Sequence, residues 1–320
     1  IELGGEELEK DLETVIGDVP AISVHIDQND ILTNKLSVEK ILSKGEVLFL
    51  ASFNTLDGAG RPEINGDFDL RERREFPENF NRISGPDANA CSGCHNLPRT
   101  GGGGDNVANV FVLSGELPFV ENMSLSEVGN ERNTLGMFGS GYVELLAREI
   151  TDDLEQIRYD AFWESKISKK SLEVELTSKG IDFGYITVHP NGVVDTSEIQ
   201  GIDEDLIIKP FGQKGSMISL RQFTIFALNL HHGIQAAETY GLGKDPDNDG
   251  VADELTVGDI TALTLFQAAL PAPQIVYPEA EEASKAATEG SNLFKAIGCV
   301  ACHIPELPLE SSIFIEPSPY

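Results

Sequence analysis

Positive charge is scarce in this chain of 320 residues: Lys and Arg number 23 against 53 Asp and Glu, a formal net charge of −30. A surface this acidic repels phosphate backbones and anionic lipid, which argues against nucleic-acid binding and membrane-surface docking. It suits basic partners and divalent cations. Long apolar runs are missing too. The best stretches, VLFLASF at 47–53 and ITALTLFQAAL at 260–270, fall far short of the ~18 residues of a membrane span. The opening IELGGEELEK has neither the basic nor the apolar region of a signal peptide, so any export signal is expected to precede this numbering. The remaining composition, 40% apolar and 24% charged, is that of a soluble globular chain and too apolar for a disordered one. Its length predicts about two domains.

Cysteine is scarcer still, and its placement is informative. The four cysteines fall as Cys91-Ser-Gly-Cys94-His95 and Cys299-Val-Ala-Cys302-His303. Two copies of C-x-x-C-H use every cysteine in the chain. Two thiols three positions apart can add to the two vinyl groups of a haem, and the adjacent imidazole becomes the proximal iron ligand. Three rival readings compete. A four-cysteine zinc site wants its pairs ~15–20 residues apart, whereas 204 residues (95–298) intervene here. A thioredoxin-like pair wants one C-x-x-C near a βαβ pattern, and disulfides would leave both histidines unexplained. The expectation is therefore two covalent haems c, with His95 and His303 on the irons. Haem c is attached outside the bacterial cytoplasm, so a periplasmic or extracellular location is expected.

The periodicity around the motifs predicts mostly helices. Ser284–Ile297 reads as a helix with Leu293, Phe294 and Ile297 on one face, running into the second motif. Residues 37–54 carry the same words, Gly45-x-x-Leu48-Phe49 against Gly290-x-x-Leu293-Phe294, an internal echo of a cytochrome c first helix. Residues 216–241 read as one amphipathic helix with Phe223, Phe226, Ala227, Leu230, Ile234 and Ala237 on its apolar stripe. At ~100° per residue His231 lies at the edge of that stripe and His232 points roughly opposite. Residues 256–273 read as a further helix, with Pro271 and Pro273 opening a linker. Residues 171–212 alternate with period two (SLEVEL, YITVHP, LIIKPF) around a Pro190-Asn191-Gly192 turn, which predicts a small β insertion. GGGGD at 101–105 reads as a flexible loop without P-loop chemistry. The Arg cluster RERREFPENFNR at 71–82 could pair with haem propionates or with local Glu in a solvated loop.

Asp245, Asp247, Asp249 and Asp253 surround Gly250. Oxygen ligands at alternate positions with Gly at the sixth suit a calcium loop, although Thr256 stands where an EF-hand has its bidentate Glu. The alternatives are a calcium site of D-x-D-x-D-G type and an Asp-rich solvated turn.

The stretches FNRISGPDANACSGCHNLPRTGGGGDNVANVF, ERNTLGMFGSGYVELLAREI, SLRQFTIFALNLHHGIQ and LFKAIGCVACHIPEL resemble the dihaem oxidoreductase family. That family belongs with the bacterial dihaem cytochrome c peroxidases and MauG-like enzymes. The resemblance runs from about Gly45 to the C-terminus. It implies one haem with an open distal side where peroxide reacts and a second that relays electrons. Arg132-Asn133-Thr134 is similar to the R-N-T-P word of the peroxidases, with Leu135 in place of Pro. Arg132, Glu144 and His231 are the candidate catalytic groups that the resemblance suggests. Ser219-Leu220-Arg221, ten residues before His231-x-Gly233, is similar to another superfamily word. Distal-ligand candidates are His25, His189, His231, His232, Met123, Met137 and Met217, with His231 preferred. Trp163 could lie on an electron path between haems or simply pack in the core.

The expected fold is mainly α. It comprises an acidic segment (1–36), a first cytochrome c-like domain (37–275) holding the β insertion and calcium-type loop, and the start of a second (280–320). Only the 17 residues 304–320 follow His303, so the second domain is expected to be truncated or covered by another chain. The expected activity is that of a secreted dihaem c-type oxidoreductase passing electrons between a basic redox partner and a substrate, peroxide. The alternative is an electron carrier or conduit subunit without catalysis.

Overall fold

The computed structural model describes residues 19–60, 87–111, 129–212, 214–247 and 249–320. In chain order the elements are helices α1 (Gln28–Leu32), α2 (Val38–Leu50) and α3 (Cys91–Cys94), strands β1 (Gly104–Phe111) and β2 (Gly129–Thr134), and helix α4 (Ser140–Ser168). Strands β3 (Leu172–Ser178), β4 (Ile181–Val188) and β5 (Val194–Ile199) follow. Then come helices α5 (Leu220–Ala227), α6 (Ala237–Tyr240), α7 (Val257–Ala268) and α8 (Glu281–Ala296). No helix among the described residues is long and apolar enough to cross a membrane. The chain forms two units: one of 1–138, 220–270 and 315–320, the other of 139–219 and 271–314. The β insertion, expected within the first haem domain, thus groups with α4 and the second C-x-x-C-H.

The first unit is built on α2 and α7. Ser37 caps α2 by accepting the Lys40 N–H, and Thr256 and Asp259 close a capping box on α7. Ile41, Leu48 and Phe49 of α2 meet Ile260 and Leu263 of α7 in one apolar cluster with Phe53, Leu228, Ile234 and Leu255. Each such side chain contributes ~1.5–3 kcal/mol on burial. Gly45 allows the helices to touch, since a Cβ there would lie 2.1 Å from the Ala262 carbonyl oxygen. Two buried aspartates then fasten the incoming chain. Asp57 accepts the Ala21 and Ile22 N–H groups at 2.9 Å, and Asp259 accepts the Ile26 N–H at 2.9 Å. In the same unit β1 and β2 pair antiparallel, from Gly104 opposite Thr134 to Phe111 opposite Gly129.

In the second unit α4 packs Ile150, Leu154 and Ala161 against Leu176, Ile186 and Val188 of the antiparallel meander β3–β4–β5. The Asn191 side chain accepts the Val193 N–H within the expected turn between β4 and β5. LIIKPF is not a strand. Leu206 takes a left-handed φ of 60°, and the Ile208 N–H donates to Thr151 of α4 instead of to a neighbouring strand. Glu149 of α4 accepts the Glu310 and Ser311 N–H groups at 2.9 and 3.0 Å, which holds the segment after the second motif.

The helix expected over 216–241 is broken. α5 passes into a single π-helical turn, Leu228–His232, which ends on Gly233 at φ 69°, and α6 restarts four residues later. The helices expected at 37–54, 256–273 and 284–297 appear as α2, α7 and α8.

His25 donates to Asp259 across 2.6 Å. That hydrogen bond raises the His25 pKa above its usual 6.5; burial opposes it, and the charges of Asp259, Asp57 and Asp253 add to it. A raised folded value means stability fully present below about pH 6.5 and lost as pH climbs through the folded pKa. His25→Gln should therefore lower Tm most at pH 5.5 and least at pH 8.5. The cost should be about 1 kcal/mol or less, because the ring is partly solvated. A Tm difference independent of pH would contradict this.

Candidate functional site

Cys91–Cys94 form one helical turn, and the His95 N–H closes it by donating to the Cys91 carbonyl at 2.9 Å. The His95 ring is held from behind. Its Nδ1 lies 2.9 Å from the Leu135 carbonyl and 3.3 Å from that of Gly102, so Nδ1 carries the hydrogen and Nε2 keeps a lone pair. Burial lowers the His95 pKa, those two carbonyls oppose it, and the nearby His231 lowers it further. A neutral imidazole with a backbone-anchored Nδ1 is the form that ligates iron through Nε2. Phe49 of α2 packs on this ring, with centroids 6.3 Å apart and planes at 55°. Burial pushes the Cys91 thiol up to about 12.

The glycine run is a strap, not the flexible loop expected from its composition. A Cβ at Gly102 would lie 1.8 Å from the Leu97 carbonyl oxygen, and one at Gly104 2.0 Å from that of Cys94. The backbone of 101–104 runs against the motif turn, where the Gly103 carbonyl accepts the Asn96 and Leu97 N–H groups, and only glycine fits at 102 and 104.

The two histidines of the π-helical turn exchange the places expected for them. His232 is the buried one, at 3% exposure. It donates from Nδ1 to the Ala88 carbonyl at 2.8 Å and turns Nε2 to the Cys91 sulfur at 3.6 Å, beside Phe53. Burial lowers its pKa to about 4. His231 is half-exposed and donates from Nδ1 to Asp87 at 2.9 Å, while its carbonyl accepts the N–H groups of Asp87 and Ala88. The wheel failed because a π turn closes on i→i+5 and rotates by less than 100° per residue. Together the pair clamps residues 87–88, the approach to Cys91.

The second motif repeats the first. The His303 N–H donates to the Cys299 carbonyl at 2.9 Å, and Phe294 of α8 packs on His303 at 6.0 Å and 57°. The words Gly45-x-x-Leu48-Phe49 and Gly290-x-x-Leu293-Phe294 therefore place their aromatic alike. The surroundings differ: Cys299–Ala301 wind as a 3-10 turn, His303 is exposed, and among the described residues nothing lies within 4 Å of a Cβ built on Gly290, where Ala262 crosses Gly45. No residue of α8 is buried.

The remaining candidates fall elsewhere. Glu144 is fully buried in α4 in an ion pair with Arg148, whose guanidinium covers Phe314 at 4.7 Å. It lies in the second unit, whereas Cys91–His95 lie in the first. Arg132 sits in β2 opposite Ala108, and its side chain lies outside the described residues. Arg221 braces Glu238, Thr261 and Glu316. His189 meets Ser171 at 2.7 Å on the sheet, Met217 pairs with Phe211, and Met137 packs on the first unit's core. Met123 and the Arg cluster at 71–82 lie outside the described residues. Trp163 is 43% exposed, edge-on to Tyr159 and Phe162 and under Lys166.

In the acidic loop, Asp245, Asp247 and Asp249 bring oxygens within 4.8 Å of one another. Asp253 does not join them. Its carboxylate turns back to accept the Gly243 N–H at 2.8 Å. The neighbouring Glu254 is buried instead, and burial, with the charges of Asp247, Asp249 and Asp245, raises its pKa to about 10, although the Gln235 N–H opposes this. Measuring the loop against the EF-hand's twelfth position hid Glu254 at the tenth.

No protein family, curated protein or solved structure matches this chain.

Gly104→Ala should destabilise the first unit by ~1–3 kcal/mol through overpacking. Gly93→Ala, inside the first motif, where among the described residues nothing lies within 4 Å of a built Cβ, should not. Denaturant unfolding of the two variants would read the difference. Equal losses in the two variants would contradict the strap.

Proposed function

We propose that this chain is a dihaem c-type oxidoreductase that accepts electrons from a basic redox partner and reduces a small substrate, peroxide, at one haem. The observation that carries the reading is the matched pair of motif turns. Each has its histidine N–H on the first cysteine's carbonyl and a phenylalanine on the imidazole, at 6.3 and 6.0 Å. The resemblance of the flanking words to the dihaem oxidoreductase family supports it, as does the ring of His95, presented neutral with Nε2 available. In this reading Cys91 and Cys94 hold one haem and Cys299 and Cys302 the other, with His95 and His303 as proximal ligands. The bound haems supply the redox chemistry, and the protein sets ligation and solvent access.

The chain's own residues supply protons and order. Reduction of peroxide to two waters consumes two electrons and two protons. His231 is the proton carrier: Asp87 holds its Nδ1–H at 2.9 Å, so Nε2 is the basic atom, and its half-exposed position connects it with solvent. His232 stays neutral and fixes the 88–91 segment. The net charge of −30 favours encounter with a basic donor. In this reading the requirement for haem c attachment implies a periplasmic or extracellular location.

The ferric spectrum and peroxide turnover of the purified holoprotein test this. A high-spin component and measurable turnover are expected. His231→Ala should lower turnover by ~10²-fold or more while both proximal histidines remain ligated. Two fully low-spin haems with no turnover would replace the enzyme with an electron carrier.

A further inference from the structure

We infer that the 245–254 loop is a site for a hard divalent cation, of calcium's size and oxygen preference, held by Asp245, Asp247, Asp249 and Glu254 and not by Asp253. Two independent observations carry this. First, the three aspartates converge, with ligand oxygens within 4.8 Å of one another. Oxygens on opposite sides of a calcium ion stand about 4.6–5.2 Å apart, so one ion can reach all three.

Second, Glu254, which lies outside that 4.8 Å group but feels the charges of Asp247, Asp249 and Asp245, is only 4% exposed and has one oxygen left over. Its Oε2 accepts the Gln235 N–H at 2.7 Å, while its Oε1 is buried without a hydrogen-bond partner. A buried carboxylate oxygen with nothing to accept from is costly unless a cation or donor meets it. The side-chain oxygen of Gln235 is likewise buried without a partner, and a neutral amide oxygen is a usual calcium ligand. Asp253 has already committed its carboxylate to the Gly243 N–H.

The placement gives such a cation something to organise. Gln235 lies three residues after His232, and the backbones of 235–237 and Leu255 bond to each other. The cation would thus fasten the loop to the segment leaving the histidine pair.

Calcium titration of the purified full chain after EDTA treatment, followed by calorimetry and thermal melting, tests the site, with magnesium as the comparison ion. One calcium should bind per chain and raise Tm by a few degrees, and magnesium should bind more weakly. Glu254→Gln should weaken calcium binding at least tenfold, yet melt in EDTA no lower than the unaltered chain, because the amide oxygen can still accept the Gln235 N–H. Asp247→Asn should weaken binding similarly, and Asp253→Asn should leave it within twofold. The inference is overturned if calcium neither binds nor shifts Tm, or if Asp253→Asn weakens binding as much as Glu254→Gln.

Discussion

The hydrogen bond from Nδ1 of His95 to the Leu135 carbonyl, 2.9 Å long, joins the motif turn to the chain just past β2. It sets which nitrogen of the imidazole is left for a metal, and it requires the backbone of 101–104 to pass directly against residues 94–97. That passage explains the glycines: the carbonyls of Leu97 and Cys94 occupy the places where two Cβ atoms would be. On the other side Phe49 bounds the ring, and Phe49 is placed by α2, which can approach α7 only through Gly45. The first motif is thus held by close backbone approach from one side and helix packing from the other.

A second layer of order comes from buried polar groups. Asp57, in a short 3-10 turn (Thr55–Asp57), and Asp259, in the first turn of α7, each cap their own turn and also bind the 21–26 segment, so a single carboxylate satisfies donors from two parts of the chain. The His231–His232 turn does similar work at the approach to Cys91. Such groups tie distant segments in one register, because a buried donor or acceptor left unmatched costs ~1–3 kcal/mol.

Local signals were legible in the sequence where local physics decides the outcome. Ser37 and the Thr256–Asp259 pair mark helix starts, the repeated Gly-x-x-Leu-Phe word marks the helix that packs on each motif histidine, and the Pro190-Asn191-Gly192 turn marks a hairpin. What depended on distant contacts was not legible. The glycine run reads as flexible until the carbonyls it passes are known. The wheel through 216–241 assumes an unbroken 3.6-residue helix, and one π turn exchanges the burial of His231 and His232. α4 went unread as a 29-residue helix because its buried positions are interspersed with charge. Asp253 and Glu254 differ by one position, and only the fold decides which of them turns inward.

The central claim is that both C-x-x-C-H turns, each with a phenylalanine on its histidine, carry haem. Intact mass of the purified holoprotein, with a pyridine haemochrome assay on the same sample, addresses it most directly. Two haems per chain, covalently retained after acid denaturation and mapped to Cys91/Cys94 and Cys299/Cys302, are the predicted result. A mass equal to the bare polypeptide, from cells competent in haem c attachment, would contradict the account.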